Sequence, residues 1–459
     1  MQRLRLAEVI GALSYALDLT EGQPPGHCLR CAAIGMRLAD VMDLTATQRW
    51  ELHYTLLLKD LGCSSNAARI CELYLTDDLR FKHDVKLVGG SLPEVVRFVL
   101  GHTGLHAGMA ERFRAVLEIF QKGGAIADEL ITTRCQRGAG IARRLRFSEA
   151  VAAGIHSLDE HWDGRGRPDH LRGRDIPLYS RVALLSQVVD VFHVAAGEAA
   201  AQAEIERRSG TWFDPELADA FRSIARQPGF WETLRDPDLA QRVQAMVPQD
   251  LEVPLDEDYL DDIAEGFGAI IDAKSPYTAG HSTRVALYAD MIAERLGLEP
   301  ERRRWMRRGS LLHDLGKLGV SNSILDKPGS LTNEEWAAVR MHAVYTEQIL
   351  GRITPFSGLA AIAGAHHERL DGKGYPHGRT ASQIPLETRI MTVADIFDAI
   401  SADRPYRAAI PVPQTLDMMS RIVGSAIDGR CLEALREVVR SVDEAMFTPP
   451  ALSGAAGNE

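Results

Sequence analysis

Apolar residues recur at three- and four-residue spacings along nearly the whole chain, and no run of strict alternation is convincing as a strand. The pattern predicts an all-α protein. Leu4 to Leu17 forms one amphipathic stretch, closed by the breaker Glu21-Gly22-Gln23-Pro24-Pro25-Gly26. A helix from His27 to about Asp40 follows, and then one from Trp50 to Leu61. Residues 75–130 read only as helical pieces broken at Gly89-Gly90 and Gly123-Gly124. Tyr179 to His193 and Thr211 to Arg226 are further helices. Residues 229–257 mix Pro, Asp and Glu and are expected to be a linker, after which a second helical region begins. The small, polar end, residues 449–459, is expected to be disordered.

The two helical regions are copies of one another. His27 and Arg30 fall opposite His281 and Arg284, and at the same offset Lys59-Asp60-Leu61-Gly62 falls opposite His313-Asp314-Leu315-Gly316. Further on, Asp163, Gly164, Gly166, Pro168, Ile176-Pro177 and Arg181 match Asp371, Gly372, Gly374, Pro376, Ile384-Pro385 and Arg389 without a gap. The offset changes between these blocks, so the first copy carries an insertion between them. The expected domains are residues 1–228 and residues 258–448.

Composition narrows the class. A chain of 459 residues, 45% hydrophobic and 25% charged, is an ordinary globular protein long enough for two or three domains. A formal net charge of -11 argues against binding a nucleic-acid polymer but leaves room for a local basic pocket. Six scattered cysteines suggest no disulfide framework, and the lone Cys28-x-x-Cys31 lacks the second pair that a zinc ribbon needs. The amphipathic start is no signal peptide, and no apolar run is long enough to span a membrane. A cytoplasmic protein with no membrane attachment is expected.

Metal-ligand residue types recur along the second copy, each on or at the end of a predicted helix. They are His281, His313, Asp314, His342, His366, His367 and Asp395. A capping box, Thr332 with Glu335, opens the helix that bears His342. Taken singly, most of these would read as surface histidines. Asp395 lies in an apolar pattern, where an unpaired carboxylate is costly and a metal partner relieves the cost. Five imidazoles and two carboxylates suit Fe, Mn or Zn better than Mg or Ca. Two such ions can clamp a phosphate and activate water at neutral pH.

The second copy resembles the HD-GYP domain, the cyclic-dinucleotide phosphodiesterase branch of the HD superfamily. The resemblance rests on His281, His313-Asp314-Leu315-Gly316-Lys317, His342 and the block His366-His367-Glu368-Arg369-Leu370-Asp371-Gly372-Lys373-Gly374-Tyr375-Pro376. It continues through Ala394-Asp395-Ile396-Phe397-Asp398-Ala399 to Arg404-Pro405-Tyr406-Arg407. The resemblance implies tandem HD-type helical bundles and two divalent ions, Fe or Mn ahead of Zn. One ion would be held by His281, His313, Asp314 and Asp395. His342, His366 and His367 would hold the other, with Asp314 bridging. Asp314 and Lys317 would be catalytic; Lys317, Arg404 and Arg407 would face substrate phosphates, beside a loop of Gly374, Tyr375 and Pro376. Some relatives carry a third-metal Glu four residues before the first histidine, where this chain has Tyr277. The implied reaction is hydrolysis of cyclic di-GMP to pGpG and onward to GMP. The alternatives are 3′,3′-cyclic GMP-AMP as substrate, or a cyclic-dinucleotide-binding signalling protein with little turnover.

The first copy has lost this chemistry. Lys59 replaces the His313 equivalent, Cys63 replaces Lys317, Gln187 stands for Asp395, and Leu158 and Asp159 stand for the paired histidines. Only His27 and Asp60 survive among the ligands. The first copy is expected to pack on the catalytic copy or to contact a regulatory partner, and a homodimer is left open.

Overall fold

The computed structural model describes residues 4–89, 92–105, 107–251, 253–402 and 408–447. Two sets of helices are laid down in the same order. In the first copy they are Leu6–Thr20, His27–Val41, Ala46–Leu58, Glu149–His156 and Leu178–Ala196. In the second they are Glu257–Asp272, His281–Arg295, Pro300–Leu312, Ser357–Ala363 and Leu386–Ser401. Among the described residues there are isolated bridges but no named strand. The fold is all-α, with two HD-type bundles.

The same local device starts the second helix of each copy. Gly26 and Gly280 precede it at φ 87° and 71°, a left-handed turn that favours glycine. A carboxylate from the preceding helix then takes up amides that the new helix leaves unpaired. Asp18 accepts from the Gly26 and Cys28 amides at 2.7 and 2.8 Å, and Asp272 accepts from the Ser282 amide at 3.1 Å. The capping box at Thr332 and Glu335 forms as the sequence predicts.

Residues 229–257 are not a bare linker. They carry helices Phe230–Leu234 and Leu239–Ala245, whose Trp231, Leu234, Leu239 and Val243 are buried in the first copy's core. Segments of one or two turns carry little helical periodicity, and here Pro, Asp and Glu mask it. The expected tail, 449–459, lies outside the described residues.

The copies share one apolar core, running from Leu6 through Ala363, with a smaller cluster behind the catalytic helices. Helix Leu6–Thr20 packs on the Leu315–Gly319 turn and on helix Asn333–Leu350 of the other copy. The Tyr259 hydroxyl donates to the Leu145 carbonyl at 2.9 Å, and the Arg352 guanidinium lies 3.7 Å over the Tyr15 ring. The insertion in the first copy forms Ala67–Tyr74, Asp78–Val85, Leu92–His102 and the long helix Met109–Arg144. It also grips the second copy. Asp78, fully buried, accepts from Ser321 Oγ at 3.0 Å and the Asn322 amide at 2.8 Å, and faces Lys274 Nζ at 3.5 Å.

Candidate metal centre

Five segments bring the seven predicted ligands of the second copy together. Asp314, just past the end of helix Pro300–Leu312, stands at the middle and is buried. Its Oδ2 faces His281 Nε2 at 3.4 Å and His313 Nε2 at 3.3 Å. Its Oδ1 faces His342 Nε2 at 3.5 Å and His366 Nε2 at 3.7 Å. One carboxylate thus turns an oxygen to each of two ligand groups. His281, His313 and Asp395 form one group, and His342, His366 and His367 the other.

The imidazoles are aimed by their outer nitrogens. Nδ1 of His313, His342 and His366 donates to the carbonyls of Ser310, Val339 and Ala363 at 2.7, 2.5 and 2.6 Å. His281 Nδ1 lies 2.7 Å from Asp398, which also holds Arg284. A carbonyl only accepts, so these histidines carry their proton outward and turn Nε2 inward. Gly316 is required by proximity: a Cβ there would collide with the His342 carbonyl.

The inward atoms lack partners. His281 Nε2, His313 Nε2 and Asp314 Oδ1 are buried without a hydrogen bond, which costs about 1–3 kcal/mol each unless something fills the space between them. Burial pushes His342 down to about 3 and His367 to about 4, so both are neutral donors at pH 7. Burial alone would raise Asp314, but His313 and Lys317 outweigh it and hold the carboxyl well below its usual range. Five converging imidazoles and two carboxylates are the donor set of a transition-metal site, and the residues fit divalent ions.

The remaining predicted residues fall unevenly. Lys317 Nζ sits 2.5 Å from Asp314 Oδ2 and lines a cleft of about 760 Å³ over the site. Gly374 leaves no room for a Cβ against Glu368 and Arg369, so the loop folds tightly under the site. Tyr375 stacks its ring 4.8 Å from the His367 ring, and Pro376 follows, half-buried. Arg404 and Arg407 lie outside the described residues. Asp398 and Glu368 were quoted in motifs without a role. Glu368 closes the loop by accepting the His377 and Arg379 amides at 2.7 and 2.8 Å. Their repeat equivalents in the first copy, Asp190 and Glu160, do the same work, which is the signal that marks them as scaffold.

In the first copy the equivalent space is filled. Lys59 Nζ, fully buried, lies 3.0 Å from His27 Nε2 and against Asp60. Burial alone would depress the ammonium's pKa, but Asp60 outweighs it and keeps Lys59 charged. Arg134 occupies the place of His342: a Cβ at Gly62 would collide with the Arg134 carbonyl, as one at Gly316 would with that of His342. Its guanidinium pairs with Asp159, the repeat position of His367.

An all-α tandem with this ligand cluster is an HD-type metallohydrolase. The HD domain profile matches residues 108–217 and 267–431, and the chain belongs to that family, in its HD-GYP phosphodiesterase branch. It is 54% identical, over 95% of its own length and 94% of the relative's, to 3′3′-cGAMP-specific phosphodiesterase 3 of Vibrio cholerae. A crystal structure of the cyclic GMP-AMP-specific phosphodiesterase V-cGAP3 of V. cholerae superposes with a TM-score of 0.67 at 48% identity, covering 97% of this chain and 99% of that one. The cyclic di-GMP phosphodiesterase response regulator RpfG of Xanthomonas campestris is 38% identical over 36% of this chain and 44% of its own. No helix among the described residues is long and apolar enough to cross a membrane.

Proposed function

We propose that this protein hydrolyses 3′,3′-cyclic GMP-AMP, opening a phosphodiester of the ring to a linear dinucleotide. The observation that carries this is likeness through both copies: the 54% identity to a cGAMP-specific enzyme runs through 95% of the chain. The cyclic di-GMP relative RpfG is matched over about a third of it. This replaces cyclic di-GMP, the substrate expected from motifs shared by both kinds of enzyme.

In this reading His281, His313, Asp314 and Asp395 hold one divalent ion, and His342, His366, His367 and Asp314 hold a second. Tyr277 offers no carboxylate for a third. When bound, such a pair supplies a nucleophilic water at neutral pH and a clamp on the phosphate oxygens. The chain does the rest. Asp398 fixes the His281 tautomer, and backbone carbonyls fix three more imidazoles. Lys317 brings a positive charge to the cleft where phosphate charge gathers. Tyr375 and Trp336 line both this cleft and the adjoining cavity of about 610 Å³, placing rings where nucleobases stack.

Product analysis with each cyclic dinucleotide, on protein loaded with Fe or Mn, tests the assignment. The expected result is at least an about tenfold higher kcat/KM for 3′,3′-cyclic GMP-AMP than for cyclic di-GMP, a difference of about 1.4 kcal/mol in transition-state binding. Equal or reversed preference would return the substrate to cyclic di-GMP.

A further inference from the structure

The cleft of the first copy has not collapsed. It survives as a cavity of about 340 Å³. Four of its wall residues, Cys63, Asp159, Arg167 and Gln187, stand at the repeat positions of Lys317, His367, Tyr375 and Asp395. The insertion lines the rest without filling it, through side chains such as Ile70, Tyr74, Phe81 and Leu130. Trp212, stacked on His161 at 4.1 Å, forms one flat side. An apolar-walled void of this size leaves its lining without contact partners, and an occupant restores them.

Charge on the wall is unbalanced. Lys82, Lys86, Arg134 and Arg167 face two carboxylates, Glu21 and Asp159. Lys86 pairs with Glu21 and Arg134 with Asp159. Lys82 and Arg167 pair with Asp78 and Asp128, neither of which lines the cavity. An excess of positive charge beside apolar walls favours an anion over a neutral molecule. The cavity has less than half the volume of the catalytic cleft, about 340 against 760 Å³, which disfavours a cyclic dinucleotide.

We propose that the first copy is a receptor site for a small amphipathic anion, an organic acid with a flat apolar body and a single charged head. Two fluorescent probes of nearly the same shape test this on the full chain. These are 8-anilinonaphthalene-1-sulfonate and the uncharged N-phenyl-1-naphthylamine. The sulfonate is expected to fill one site per chain and to bind at least about tenfold more tightly than the uncharged probe, the worth of one charge-assisted contact. Arg167→Gln should weaken the sulfonate alone. Ala127→Trp, which fills the cavity from the insertion helix, should remove the site for both probes while metal content and helicity stay unchanged. Val188→Trp fills it from the opposite wall and serves if the first variant does not fold. Absence of a saturable sulfonate site, equal affinity for the two probes, or binding untouched by either filling variant would overturn the proposal.

Discussion

The two copies present the same five-helix frame around opposite solutions to one electrostatic problem. Each gathers carboxylates and imidazoles in a buried centre where charge must be balanced. The second copy leaves His281 Nε2, His313 Nε2 and Asp314 Oδ1 without partners, so the balance must come from outside the chain. The first copy supplies it from its own side chains: Lys59 stands against His27 and Asp60, and Arg134 against Asp159. Two side-chain cations stand where the second copy has its convergent His/Asp cluster. The outer scaffold is unaltered, since Asp190 holds His27 and Arg30 as Asp398 holds His281 and Arg284. What fills the centre differs between the copies, and the frame around it remains.

The largest effect should come from removing the shared carboxylate. Asp314→Ala is expected to lose metal and turnover together, with helicity retained, by elemental analysis and product assay. A metal-loaded, fully active Asp314→Ala would break the comparison. The same elemental analysis should count two ions per chain in unmodified protein, none of them in the first copy.

Lys59→Met should leave metal content and activity intact but destabilise the first copy by about 3–5 kcal/mol, because it strands Asp60 without its buried partner. Denaturant unfolding measures this, and a variant as stable as the parent would show that Lys59 does not replace an ion.

Asp398→Asn should lower metal affinity or turnover by about 10–100-fold, through loss of the His281 tautomer. Asp190→Asn, its counterpart, should leave both unchanged. Equal effects at the two sites would mean that the first copy takes part in catalysis.

The smallest difference is in pH response. His53 is buried with neither ring nitrogen paired, whereas Arg307, its repeat counterpart, is exposed and bound to Glu265. Burial depresses His53 to about 3, below its unfolded value near 6.5, so its contribution is full above pH 6.5 and is lost as pH falls toward 3. Between pH 7 and pH 5 unmodified protein should lose about 2 kcal/mol more stability than His53→Leu. Parallel pH profiles would show that His53 is solvated.

Much of this was legible along the chain. Helices announce themselves by apolar spacing, the repeat by its matched blocks, and the seven residues of the buried His/Asp cluster by residue type, because helix faces and motif spacings are local properties. The short helices of 229–257 were missed because one or two turns carry too little periodicity to outweigh Pro and Asp. The motifs leave cyclic di-GMP and 3′,3′-cyclic GMP-AMP undivided, because they encode the phosphate chemistry and not the bases; the likeness to a cGAMP-specific relative favours the second.

The sequence by itself determined an all-α tandem with one complete and one depleted set of ligands. Only the tertiary structure decided what became of the depleted set. Arg134 falls opposite His342 at the offset of the second matched block, but only the fold shows its guanidinium turned onto Asp159. Lys59 reads as a lost ligand, and the fold shows it buried as the cationic partner of His27 and Asp60. Asp398 stands in the motif block with no assigned role, and the fold sets it 2.7 Å from a histidine 117 positions earlier. Charges buried together are balanced by whichever group the fold brings within a few ångströms, and separation along the chain does not reveal which group that is.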